Sequence, residues 1–362
     1  MLLGRIDRGE DVEPESYLDV AVTKWLPRRR ENPKFERALG ALAVRFDQRH
    51  RDRWMRDVLA SRPGEQAARG LSALSAAVEA NLSDESDRAL ASATDAVSSL
   101  RAAGNDAGRL RAELEQTYAL ERALRPDECL EKAVAVERKA AAMSYSWILG
   151  QTLIEEGNCR GQSGDSGDAQ RDIGRALTLV REAGYSDLEL RAIGILTALQ
   201  TNAGNLQAAW TMGRKALEKY SGGPYSGIRA HQIYLNLYRS SRDPGHRQAA
   251  FVFIRGAAAA IAETPRHRTE ATTRAFAARL AVEAGWPEEA QAQFEQAGRL
   301  FDRLPDAKAD RDYRARAELE IAEAEVAAGG AAAALRRLET IRQQAAGIDA
   351  VLVRIRFEQT LG

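Results

Sequence analysis

The stretch GNLQAAWTMGRKALEKYSGGP, residues 204–224, decides the fold. It opens on Gly204, places Ala209 and Ala216 five and twelve positions later, and stops on Gly222, Gly223 and Pro224. A glycine just past the last turn of a helix takes up the left-handed cap conformation. Alanines seven apart return to the same face of the next helix, and Gly-Pro ends that helix. Small side chains on that face let a neighbouring backbone approach closely.

The same phase recurs along the chain. Gly164, Gly204, Gly245, Gly285 and Gly329 are 40, 41, 40 and 44 residues apart, and a fixed period of this size marks a helical repeat. Extended upstream, the register reaches Arg125 and Asp84, so the early units are more degenerate. Five positions after the anchors stand Ala89, Leu130, Ala169, Ala209, Ala250, Ala290 and Ala334; twelve after stand Ala96, Glu137, Ala176, Ala216, Ala257, Ala297 and Ile341. Each unit reads as an antiparallel pair of helices about 25 Å long at 1.5 Å rise per residue. Pro265 and Pro305 fall where second helices should stop, and Ser186 with Glu189 reads as a capping box. Period-2 alternation is absent, so no strand competes.

The expectation is an all-α chain, an α-α superhelix or solenoid of about seven helix pairs between residues 66 and 346. Residues 1–62 lie outside the register. There Phe35, Leu39, Leu42 and Phe46 make one helical stripe, and Trp54, Val58 and Leu59 a second, so this region is expected to be a helical cap docked on the first repeat, with the array at 63–362. Ile348, Val351, Leu352, Ile355 and Phe357 read as the first helix of an eighth pair, whose apolar face implies that the gene product continues or that this end docks on something.

Composition narrows the function classes. The 52 basic and 52 acidic residues cancel, which argues against bulk nucleic acid or an anionic membrane as partner. No apolar run reaches the roughly 20 residues of a membrane span, and the amino terminus lacks the basic start and apolar core of a signal peptide. Cys129 and Cys159, with no CxxC spacing, read as free buried thiols of a cytoplasmic protein.

The turn residues Gly204 and Asn205, the small Ala209 and Ala216, and the first-helix core residue Leu196 resemble a tetratricopeptide repeat. These units run near 40 residues instead of about 34, so the chain is similar to the longer-helix variant found in bacterial regulators, with HEAT-like pairs as the structural competitor. The stretches LDVAVTKWLPRR (18–29), RHRDRWMRDVLA (49–60), LRAELEQTYALER (110–122) and AGNLQAAW (203–210) resemble the amino-terminal halves of bacterial proteins that carry a carboxy-terminal CHAT domain, a caspase-like cysteine peptidase. That resemblance implies a helical half that binds a partner or senses a signal and controls an intramolecular effector beyond Gly362. It places no catalytic residue in this chain.

Candidate chemistry yields to simpler readings. GDSG at 164–167 copies the string around a chymotrypsin-like nucleophile, but here it is a turn between helices, and Asp165 or Ser166 is expected to cap the next one. Asp165, Asp168 and Asp172 miss the EF-hand register. His50, His231, His246 and His267 lack zinc-ligand spacing. The basic run Lys24, Arg28, Arg29, Arg30 and Lys34 is interrupted by Glu31. No cofactor and no catalytic site are expected.

What remains is a binding surface. Arg229, Gln232, Asn236 and Arg239 step by three or four along one helix, among Tyr220, Tyr225, Tyr234 and Tyr238. First helices line the inner side of such arrays, where Tyr118, Asn158, Ala198, Arg239 and Arg279 occupy matched positions. The expected site is therefore Tyr118, Asn158, Arg229, Gln232, Asn236, Arg239 and Arg279, suited to an acidic peptide. The function class is a non-enzymatic protein- or peptide-binding scaffold. Its rival, a nucleic-acid-binding or transcription-regulator module, would show affinity that falls with salt.

Overall fold

The computed structural model describes residues 13–29, 31–60, 64–241, 246–304, 308–327 and 330–344. All regular structure among them is helical. A continuous helical segment comes first: a 3-10 turn at Pro14–Tyr17, a single α turn α1 at Leu18–Val20, and a π turn at Ala21–Trp25. Helices α2 (Pro33–His50) and α3 (Trp54–Ala60) follow. Then come fourteen helices in chain-order pairs: α4 (Glu65–Leu82) with α5 (Ser86–Ala102), α6 (Asp106–Arg122) with α7 (Pro126–Met143), α8 (Ser146–Gln162) with α9 (Ser166–Glu182), and α10 (Ser186–Asn202) with α11 (Leu206–Ser221). The last three are α12 (Gly227–Ser240) with α13 (Arg247–Ala262), α14 (His267–Glu283) with α15 (Pro287–Phe301), and α16 (Lys308–Ala327) with α17 (Ala331–Gln344). Within each of the pairs α4–α5, α6–α7, α8–α9, α12–α13, α14–α15 and α16–α17 the two helices pack together, as the glycine and alanine register predicts.

The turns reveal a finer period than the sequence does. Left-handed backbone falls at Asp84, Gly104, Leu124, Ser144, Gly164, Gly184 and Gly204, one every twenty residues. At each, the residue after it bonds back to a carbonyl five positions earlier, as in Asn105 N to Leu100 O (2.9 Å), Arg125 N to Leu120 O (3.0 Å) and Asp165 N to Arg160 O (2.9 Å). This is the Schellman closure that satisfies the last carbonyls of a helix. Both turns of a pair use it, so the half-repeat is itself regular.

The regularity corrects the register upstream. The anchor of the second pair is Leu124, not Arg125, and the residues five and twelve on are Cys129 and Val136, buried to 0% and 1% exposure. Leu130 and Glu137 are only half-buried. A leucine with φ of 57° bears a backbone penalty of about 1–2 kcal/mol, so nothing in the residue type marks it as a cap. Elsewhere the expected alanines are core: Ala89, Ala96, Ala169, Ala176, Ala209, Ala250 and Ala257 are all at 0%. Gly245, Pro305, Gly329 and the segment 348–361 lie outside the described residues.

The chain divides into two compact units, one made of 1–199 with 222–225, the other of 200–221 with 226–362. In the first, α2 and α3 join the repeat core directly. Leu39, Leu42, Phe46, Trp54 and Val58 pack in one cluster with Leu71 and Leu74 of α4, Leu110 and Leu114 of α6, Trp147 and Ile148 of α8, and Leu188 of α10. The amino-terminal segment therefore lies along four first helices, further than the first repeat on which the sequence places it. In the second unit, Tyr238, Ile254, Ala257 and Leu280 form one cluster and Ala271, Ala275, Phe301 and Ile321 another.

Two further expectations change. Cys129 and Cys159 are joined in a disulfide between α7 and α8, Cα atoms 6.0 Å apart, so they are not free thiols. The reason is the repeat register: Cys129 takes the close-contact position of α7, facing Cys159 of the next first helix, with Leu90, Leu120 and Leu130 around them. The capping box is not built either. Ser186 is already helical, the Glu189 N–H bonds to Tyr185 O, and the Glu189 carboxylate takes the Arg181 Nε–H at 2.9 Å. No described helix is long and apolar enough to cross a membrane.

Candidate functional site

First and second helices differ in how they are buried. Second helices such as α9 and α11 bury one face only, Ala169, Asp172, Ile173, Ala176 and Val180 in α9 and Ala209, Gly213 and Ala216 in α11. First helices touch their own partner on one side and the neighbouring first helices on the other, as α4, α6 and α8 do in the first unit. Hence α6 buries Arg111, Glu113, Glu115, Gln116 and Thr117 beside its leucines. Buried polar groups must find partners, and along the first helices they find them one repeat away.

In the first unit, the amino-terminal ends of these helices are closed by side chains from far upstream. The residues at their own cap positions, Tyr145 of α8 and Tyr185 before α10, carry no capping carboxylate. Asp52 supplies one to α8: Oδ2 accepts the Trp147 N–H at 2.8 Å, the Tyr185 hydroxyl at 3.0 Å and the Ser146 hydroxyl at 3.2 Å, while Oδ1 accepts the Trp54 N–H at 2.8 Å. Glu15 does the same for α10, accepting the Asp187 and Leu188 amides at 2.9 and 3.1 Å. A carboxylate at a helix amino terminus meets unpaired N–H groups and the positive end of the dipole. Burial nevertheless pushes the Asp52 carboxyl up, outweighing its four hydrogen bonds. His50 stacks on Tyr185 at 4.3 Å and bonds Ala183 O at 2.8 Å. Arg111 lies 4.6 Å from the Trp147 ring and donates to Glu115 at 2.7 Å. This end of the helices is occupied by the chain itself.

The carboxy-terminal halves of the same helices carry the candidate site. Tyr118 of α6 is half-buried between two guanidiniums, Arg122 at 5.1 Å and Arg191 at 5.0 Å from its ring, within cation–π range. The Arg122 Nη2–H donates to the Tyr118 hydroxyl at 3.0 Å. Arg191, almost fully buried, donates to Gln151 and to Glu155 of α8. Against that burial, the Glu155 carboxylate holds Arg191 firmly charged. Asn158 turns its amide toward Glu155 at 3.4 Å, and Gln162 Nε2 donates to Glu121 at 2.9 Å. The arrangement offers one aromatic ring, two fixed guanidiniums, two amides and the carboxylates of Glu121 and Glu155. It can hold an extended, polar chain by hydrogen bonds; it contains no activated nucleophile.

The second unit holds the remaining expected residues. On α12, Asn236 is 4% exposed beside Leu237, so the polar stripe is part interior. Arg229, Gln232 and Arg239 are half-buried. The buried Oε1 of Gln232 accepts no hydrogen bond within the protein. Arg239 sits 5.9 Å from the Phe276 ring of α14, and His231 bonds Thr273 at 2.8 Å. Arg279 departs furthest from expectation. Its guanidinium donates to Glu283 at 2.8 Å, to Glu320, and to Glu323 at 3.2 Å. Three carboxylates around one cation leave no excess positive charge for an acidic peptide. The Asp165 side chain caps α9 through the Asp168 amide at 3.2 Å, so GDSG is a helix-to-helix turn. Among the described residues no group of three or more His, Cys, Asp or Glu side chains could hold a metal ion.

Sequence reasoning missed Arg122, Arg191 and Glu155, and the upstream pair Glu15 and Asp52. For the first three a signal existed: the contacts step by one repeat, with Arg191 and Gln151 40 apart and Gln162 and Glu121 41 apart.

No protein-family model matches the chain, and no curated protein matches it in sequence. Solved structures do match in fold. The Rap conjugation gene regulator of the plasmid pLS20, in complex with the Phr* peptide, superposes with a TM-score of 0.61 over 97% of this chain and 99% of that one, at 12% identity. RapI in its apo form gives 0.52 at 13% identity over 80% of this chain and 100% of that one. A Rap protein complexed with Competence and Sporulation Factor gives 0.52 at 12% identity, over 83% and 79%. The period, the turn chemistry and these superpositions agree on an all-α fold of tetratricopeptide-like helix pairs.

Proposed function

We propose that this chain is a non-enzymatic scaffold that binds a peptide or protein segment on the exposed parts of its first helices. The observation that carries the reading is Tyr118 held between Arg122 and Arg191 with Asn158 and Gln162 nearby. Such a surface is pre-organised, so little ordering cost is incurred on binding. The two Rap structures solved with a peptide or factor bound support it, because they share the helix-pair fold. Residues 1–62 act as a helical clasp in this reading and 63–362 as the array. Arg229, Gln232 and Arg239 provide contacts of the same kind in the second unit, with Asn236 buried behind them.

A peptide library displayed on phage and selected on the immobilised chain tests it. Selected peptides should bind with affinity that drops at least tenfold in Tyr118→Ala and in Asn158→Ala. Selection that enriches nothing, or peptides that bind both variants as well as the parent, would refute it.

The finer reading follows from the CHAT-type resemblance: a cytoplasmic bacterial array that regulates a peptidase domain. Reading the gene on past Gly362 for a segment with His and Cys tests the effector. Thiol counting on protein taken from cells tests the location, because a reducing compartment keeps cysteines as thiols, whereas Cys129 and Cys159 are joined here.

A further inference from the structure

Glu156 lies on α8, is 2% exposed, and its Oε2 accepts no hydrogen bond from the protein. The charged groups that face it come from three helices: Glu137 from α7, Asp172 and Arg175 from α9, and Arg160 from α8 itself. These are tied to one another. Arg160 Nε donates to Asp172 at 2.8 Å, Arg175 Nη1 to Asp172 at 3.4 Å, and Arg175 Nη2 to Glu137. Two guanidiniums thus already balance the two carboxylates of Glu137 and Asp172. An ionised Glu156 makes three negative charges against two positive. Asp165 and Asp168, at 3.7 and 3.5 Å from Arg160, draw on the same cation, and Arg171 answers only Asp168. An uncompensated charge in such a place is costly.

The cluster also spans a repeat boundary. Glu137 ends its reach on the second helix of one pair, and Glu156 and Asp172 stand on both helices of the next. We propose that Glu156 is a proton-operated latch between the second and third helix pairs: neutral, it lets α7, α8 and α9 pack closely; ionised, it is repelled by Glu137 and Asp172 and loosens them. The latch works near neutral pH. Burial, then the charges of Glu137 and Asp172, push the Glu156 carboxyl up to about 7 from an ordinary 4.5. A folded-state value above the unfolded one favours the closed form below 4.5 and weakens it progressively as pH rises through about 7. The opening equilibrium can shift by up to about 300-fold over that range, one decade per pH unit.

Amide hydrogen exchange of the whole chain, wild type against Glu156→Gln, reads this out, because comparison at each pH cancels the chemical exchange rate. At pH 4, below both values, the two should be equally protected across 126–182. At pH 8.5 the wild type should exchange faster by one to two decades, up to that ceiling. Equal responses at both pH values, or a Gln variant less protected at pH 8.5, would overturn the latch. A carbon-13 titration of the Glu156 side chain in the wild type is a second reading. A midpoint between 6 and 8 supports the proposal, and one below 5.5 overturns it.

Discussion

Replacing Asp52 should unfasten α8, which begins 94 residues downstream, together with the start of α3 beside it. In Asp52→Ala the Trp147 amide loses its cap and the Trp54 amide and Tyr185 hydroxyl lose a buried acceptor. A lost helix cap costs about 1 kcal/mol, and each buried donor left unpaired costs about 1–3 kcal/mol. Two terms reduce the total. The Ser146 and Tyr185 hydroxyls, 3.0 Å apart, bond to each other once Asp52 no longer takes both their protons, and a carboxyl whose ionisation burial opposes is removed. The net loss is about 3 kcal/mol, which lowers the melting temperature of a unit of this size by about 6–12 °C. Asp52→Asn keeps one acceptor oxygen and should lose roughly half as much. Because the Asp52 carboxyl sits above its ordinary range, its ionisation opposes folding more as pH rises, so the Asn variant should recover relative to wild type at high pH. Thermal melts followed by circular dichroism give the size. Amide exchange at the first turns of α8 and α3, whose Trp147 and Trp54 amides lose their acceptor, gives the place. An Ala variant within 0.5 kcal/mol of wild type, or protection lost uniformly instead of at those turns, would refute capping from upstream.

Other outcomes follow from single positions. Reduction of Cys129–Cys159, which are 30 residues apart, should cost about 3–4 kcal/mol by loop-closure entropy, and unreduced protein unfolded in denaturant should show no titratable thiol. Ser144→Gly relieves an exposed left-handed serine with φ of 57° and should add about 0.5–1 kcal/mol in a denaturant melt. Gly157→Ala puts a Cβ 2.5 Å from Ile173 Cδ1 and 3.1 Å from Ala169 O; it should cost about 1–3 kcal/mol, partly rescued by Ile173→Ala in a double-mutant cycle.

What was legible in the sequence was the part enforced by backbone chemistry. Gly164, Gly204 and Gly285 show φ of 86°, 78° and 74°, and the alanines that follow the first two are fully buried, because close helix contacts and left-handed caps restrict residue choice severely. Leu124 and Ser144 occupy equivalent turns without the favoured residue, so the register slipped by one at Arg125. The candidate site was less legible. Tyr118 and Asn158 emerged from counting forty residues, yet their environment depends on Arg191 and Glu155, whose importance comes from burial that composition cannot show. Glu283 stands four residues on from Arg279 on the same helix and is readable from spacing, but Glu320 and Glu323 reach Arg279 only once α14 and α16 are packed. Glu15 gave no local sign and Asp52 only that of a cap on Trp54: an aspartate 95 residues from the Trp147 amide it also caps has no periodicity to reveal it.

The same one-repeat spacing has a consequence for binding. Side chains that join consecutive first helices, such as Arg191 with Gln151 and Glu155, or Gln162 with Glu121, are those beside Tyr118. A ligand that hydrogen-bonds to Arg191 or Gln162 uses side chains that their bonds to the neighbouring first helix hold in position, so its affinity falls when neighbouring pairs separate. Linkage makes that dependence reciprocal: whatever loosens α8 weakens the ligand, and the ligand tightens α8 by the same factor. On the proposed reading the scaffold is then responsive rather than inert. Glu156 lies on the same helix, one residue from Glu155, on the side facing Glu137 and Asp172. A proton taken up there and a peptide bound at Tyr118 would both favour the closely packed arrangement, so peptide affinity should fall between pH 6 and pH 8, and should not fall in Glu156→Gln.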